Sequence, residues 1–95
     1  MRQDEASLAA FPGGELVARG LADLDAGLET VEALLVSIGA VRLRAAGLRV
    51  SAPLTDPEHR LYGRLARDDP DSAHSRYNAL VGRLVSFERA LECAS

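Results

Sequence analysis

Tryptophan and lysine are absent from this chain of 95 residues, cysteine occurs once, and aromatic residues make up only 4%. Each shortage excludes something. A single thiol, Cys93, cannot close an intrachain disulfide, which fits a reducing, cytoplasmic setting. So few rings leave no interleaved aromatics on which nucleic-acid bases could stack. No apolar run approaches the ~20 residues that a membrane helix needs, so no membrane partner is expected. The opening MRQDEASLAA is acidic and lacks an apolar stretch, so no secretory signal is expected either.

What is present is Leu, Val and Ala, within an apolar share of 47%. That suffices for one small domain, residues 1–95, whose core stabilises modestly on its own. All eleven cationic side chains are arginine, which we read as coding bias. The net charge of -3 argues against a protein that coats polyanions over its whole surface. The charge is unevenly spread: residues 1–40 sum to -5, residues 41–67 to +4 and residues 68–95 to -2.

Periodicity assigns the fold class as all-α. Residues 1–13 read as flexible or as a short N-terminal helix with Asp4 as its cap, broken by Pro12-Gly13-Gly14. Val17, Leu21, Leu24, Leu28, Val31, Leu35 and Ile38 are spaced four and three apart, a heptad seam that predicts a long helix over 14–46. Gly39 is a bend or an alternative stop. Gly47 followed by Leu48 predicts a Schellman ending. Thr55-Asp56-Pro57-Glu58 reads as a capping box opening a short helix over 55–67, with Leu61, Tyr62 and Leu65 on its inner face. Asp69-Pro70 opens a last helix over 70–94, with a second seam of Ala73, Tyr77, Leu80, Leu84, Phe87, Leu91 and Ala94, widened by Val81 and Val85.

These patterns predict an up-down-up three-helix unit with two long, parallel, heptad-patterned helices. Aligning Val17 with Ala73 sets Arg76 near Asp25 and Arg83 near Glu32. A continuous helix over 14–46 would run to about 48 Å and overhang a compact globule of this size. Dimerisation would then complete a helical bundle, and the expected partner is a second copy of the chain.

Several constellations are candidates for function. Arg42, Arg44, Arg49, Arg60, Arg64 and Arg67 form a basic region that could hold phosphate oxygens, an acidic protein or nucleic acid, or could be a solvated face. Arg67-Asp68 and His74, with six residues between Arg67 and His74, form a corner between two helices. The same spacing resembles the arginine–polar–histidine pattern of the HEPN ribonucleases, which are helical and dimeric. That resemblance implies metal-independent RNA cleavage, with His74 in acid/base work and Arg67 on the phosphate. His59 and Tyr62, and again His74 and Tyr77, share helix faces, but two histidines and one distant cysteine give no ligand spacing for a metal. No cofactor motif is found. Cys93 reads as a spectator thiol, and Gly20 and Gly27 as positions of close helix approach. The functional expectation is a homodimeric helical association or regulatory module without catalysis. The alternatives are a nucleic-acid-binding regulator using the arginines and a HEPN-like ribonuclease.

Overall fold

In the computed structural model, which describes residues 8–94, the segment expected to form one rod is three helices. They are α1 (Gly14–Asp25), α2 (Val31–Ile38) and α3 (Ala40–Ala45). Two more follow, α4 (Pro57–Asp68) and α5 (Ala73–Ala94). The fold is all-α, with five helices and no strand among the described residues. The expected cap at Asp4 lies outside them.

The break after α1 has a clear local cause. Gly27 adopts φ +73, and the amides of Gly27 and Leu28 donate back to the carbonyls of Leu24 and Asp23 at 3.0 and 2.8 Å. This is a Schellman ending, which closes the last turn of a helix and points the chain away from its axis. Thr30 then restarts the helix. Its hydroxyl accepts from the Ala33 amide at 3.0 Å and donates to the Asp23 carboxylate at 2.6 Å. One side chain thus caps α2 and ties it to the end of α1, which satisfies a buried carboxylate.

Turning at residues 26–30 places α2 in the middle of the molecule. Ala33, Leu34, Leu35, Val36 and Ser37 are consecutive and all buried. A helix apolar on every side belongs in a core, not on a seam. It packs closely on α1, because a Cβ at Gly20 would collide with the Glu32 carbonyl and come within 2.7 Å of Val36 Cγ1. On another side, a Cβ at Gly39 would lie 2.5 Å from Glu88 Oε2 and 3.2 Å from the Leu84 methyls of α5. Gly27 serves differently from Gly20: it has no neighbour around its Cβ position and is needed for its positive φ.

α3 ends in a second Schellman turn, as expected: Leu48 N donates to Leu43 O at 3.0 Å and Gly47 stands at φ +99. The connection that follows is pinned to the core by Ser37. Its buried hydroxyl donates to Ala33 O at 2.8 Å and accepts from Leu54 N at 3.0 Å. Leu61 and Leu65 of α4 meet Ala73, Leu84 and Phe87 of α5 in the core cluster, and Phe11 lies edge-on to Phe87 with centroids 5.9 Å apart.

Two expected helix starts are corrected. The capping box at 55–58 does not form: Asp56, at φ +49, precedes Pro57 without a side-chain cap. The Asp69-Pro70 start moves to Ala73, because Asp69 Oδ1 accepts from the Asp71 amide at 3.2 Å and holds a turn instead. The first heptad seam is broken by the turn after α1, whereas the second runs along α5 with every member but Ala94 at least half-buried. Val17, Leu24, Leu35, Ala73, Leu84 and Phe87 are buried, Leu21, Val31, Ile38, Tyr77, Leu80 and Leu91 are half-buried, and Ala94 is exposed. Leu28 is in the interhelical turn, 51% exposed.

The reason for requiring a second copy falls with the rod. The radius of gyration is 12.7 Å, against about 12.4 Å for a compact chain of this length. The accessible surface is 5652 Å², close to the roughly 5,300 Å² of a folded monomer of this mass. One chain covers its own core.

The close approach at Gly20 predicts that Gly20→Ala lowers stability by about 1–3 kcal/mol. Gly63→Ala, mid-helix with open space around it, should raise stability by roughly 0.5–1 kcal/mol. Urea melts of the two variants check the pair. Leu28→Asp, disruptive in a continuous seam, should cost less than about 1 kcal/mol in the same assay, as exposed substitutions do.

Candidate functional site

Several arginines of the basic middle are engaged by partners in the fold. Arg42 Nη1 pairs with Glu88 at 3.2 Å and Arg42 Nη2 with Glu92 at 2.7 Å. Arg44 donates to the Val50 carbonyl at 2.6 Å, which fastens the loop after α3. Arg60 donates to the Glu29 carboxylate and to Thr55 O. Arg49 is exposed in the loop. Arg67 is exposed in the last turn of α4, where a cation suits the helix dipole. His74, also exposed, has Nε2 at 3.2 Å from Asn78 Nδ2. Neither Arg67 nor His74 lines the groove described next.

Arg64, by contrast, lines a cavity. The opening measures about 540 Å³ and lies between the start of α2, α4 and α5. Its walls are Thr30, Val31, Glu32, Arg64, Arg76, Ala79, Leu80 and Arg83. Three arginines from two helices therefore line it together with one glutamate and a small apolar floor. Arg76 is steadied by Asp68 across the α4–α5 corner at 2.7 Å. Arg64 and Arg83 make no ion pair among the described residues.

Neither ion pair of the expected charge register forms among the described residues. Glu32 and Arg83 line the same groove without closing an ion pair, whereas Arg76 engages Asp68, and Asp25 accepts from the Ser51 hydroxyl at 2.5 Å. Sequence reading treated Arg76 and Arg83 only as flanking charges. Their seven-residue spacing on α5 does place them on one face. That this face meets Arg64 depends on the α4–α5 packing, which no local pattern encodes.

Glu88 forms a second polar centre. It is 4% exposed, with Arg42 as its cation. Burial pushes its carboxyl above the ordinary glutamate range; Arg42 opposes the shift and Glu92 adds to it. Tyr77 is also shifted upward, first by burial and then by the charge of Glu58. Among the described residues, no group of three or more His, Cys, Asp or Glu side chains is placed to hold a metal ion. No helix among them is long and apolar enough to cross a membrane.

The chain is therefore a small, compact, all-helical globular domain. No protein-family model matches it, and neither a curated protein nor a solved structure shows significant similarity to it.

The raised affinity of Glu88 for its proton sets the sign of a pH effect. The folded chain holds that proton more tightly than the unfolded chain does. This group's contribution to stability is therefore greatest at low pH and is lost as pH rises from 4.5 through the raised value. The melting temperature of the wild type relative to Glu88→Gln should then be more favourable near pH 4.5 than at neutral pH. Paired thermal melts across that range measure it, and the subtraction cancels the other carboxylates.

Proposed function

We propose that the protein is a helical association module that pairs with itself through the outer face of the α4–α5 hairpin. The observation that carries this reading is the tyrosine pair at that surface. Tyr62 of α4 is 40% exposed and its ring stands 5.6 Å, centroid to centroid, from that of half-buried Tyr77 of α5. Half-buried Val81 continues the patch one turn along α5. Large amphipathic rings at a surface are the residues on which interfaces concentrate their binding energy.

Two glycines lie a third of a turn or less from this face. Gly63 follows Tyr62 and Gly82 follows Val81, both inside helices and both with nothing near their Cβ positions. Each costs its helix about 0.5–1 kcal/mol relative to alanine, and nothing in the single chain offsets that cost. Against a second helix, each would let the backbones approach closely. A two-fold arrangement uses the same patch on both copies. A standard interface needs about 800 Å² from each partner, a modest share of the 5652 Å² available.

Light scattering over the micromolar range should show a mass that rises with concentration. Tyr62→Glu should return it to the monomer while leaving the helical circular dichroism intact, because the side chain is largely outside the core. A wild-type chain that stays monomeric throughout would overturn the reading.

A further inference from the structure

We infer that the three-arginine groove is a binding site for a small phosphate monoester. It is independent of the association face, since Arg64 and Tyr62 are two residues apart on α4 and so point to nearly opposite sides of that helix. The cluster of guanidiniums selects the ligand. Arg64, Arg76 and Arg83 stand against Glu32 in the groove and Asp68 on Arg76, a net positive charge of one that rises to two where an anion takes the place of Asp68. A phosphate monoester carries about -1.5 to -2 at neutral pH and offers three terminal oxygens. A single carboxylate would offer fewer acceptors than the three forked guanidiniums can engage.

The arrangement is partly preorganised. Asp68 holds Arg76 at 2.7 Å, and the pair fixes one guanidinium before any ligand arrives. Arg64 is half-buried at the wall, where its charge is less hydrated than on open surface. The Thr30 hydroxyl is already committed to Asp23 and to the Ala33 amide, so it holds the wall in shape and has no proton left to donate. The body of the ligand then meets Val31, Ala79 and Leu80, with the Glu32 carboxylate available to accept from a hydroxyl. No aromatic side chain lines the groove, so a nucleobase finds no ring to stack on. The volume, about 540 Å³, lies in the range of small-ligand sites and exceeds what phosphate alone would fill. A phosphorylated polyol, such as a sugar phosphate, fits these features.

Calorimetric titration of the full chain with inorganic phosphate, a sugar monophosphate, a nucleoside monophosphate and a short single-stranded RNA tests the inference. A sodium chloride control is matched in ionic strength. The sugar phosphate should bind more tightly than phosphate alone, and the nucleoside monophosphate no more tightly than the sugar phosphate. Arg64→Gln and Arg83→Gln should each weaken binding about tenfold or more, the scale of one lost charge-assisted hydrogen bond. Both variants should keep the wild-type melting temperature within a few degrees, because neither side chain holds an ion pair in the fold. Binding that the variants leave unchanged, or that matched chloride abolishes, overturns the site. Tighter binding of RNA, with footprints outside the groove, overturns the small-ligand assignment in favour of a polyanion surface.

Discussion

The reversal at residues 26–30 is the constraint on which the fold depends. The amides of Gly27 and Leu28 close the end of α1, and Thr30 opens α2 while binding Asp23. These contacts turn what could have been a single amphipathic rod into a helical hairpin, with the most apolar segment of the chain inside. Once α2 is central, α1, α4 and α5 can each cover part of it, and no second chain is required for burial. Close approach then becomes obligatory where α2 meets its neighbours, which explains glycine at positions 20 and 39. The polar links are few and strategically placed. The Ser37 hydroxyl, inside the core, is what holds the connection before α4.

The helical class was legible in the sequence; the break was legible too, but was outvoted. Asp25-Ala26-Gly27-Leu28 and Ala45-Ala46-Gly47-Leu48 share the same Ala-Gly-Leu ending, and both form Schellman turns. Only the second was read as one, because a four-three spacing ran unbroken across the first. That spacing was weak support. Between Val31 and Val41 only Glu32 and Ser37 are polar, so the segment has little polar flank to define a stripe. A buried helix of this kind satisfies almost any apolar period, and its composition is the better guide. Helix starts failed for a different reason. At Asp56 and Asp69 the side chain had alternative backbone conformations or turn partners to satisfy, and local motifs do not rank such competitors.

The candidate site was legible only through Arg64. Two other arginines of the basic island are drawn off by partners distant in sequence, Arg42 by Glu88 and Glu92 and Arg60 by Glu29. Summing charge along the chain treats each cation as available. In the folded molecule a guanidinium beside a carboxylate contributes little to the field a ligand meets, so clustering in sequence overstates the patch. The groove reverses this bias. Its charge comes from two helices that each carry a small net positive charge, and it becomes cationic because Arg64 and Arg83 line it without an ion pair among the described residues.

The α4–α5 hairpin thus presents two surfaces of different chemistry, and their separation follows from helix geometry. Positions two apart on α4 diverge by more than half a turn, so Tyr62 and Arg64 serve different sides of one element. Both sides are anchored by the same interior contacts, Leu61 and Leu65 against Ala73, Leu84 and Phe87. A rigid hairpin core lets either surface change without repacking the other. Its joint is the Asp68–Arg76 pair, which spans the corner between the helices. An anion drawing on Arg76 would compete with Asp68 for the same guanidinium.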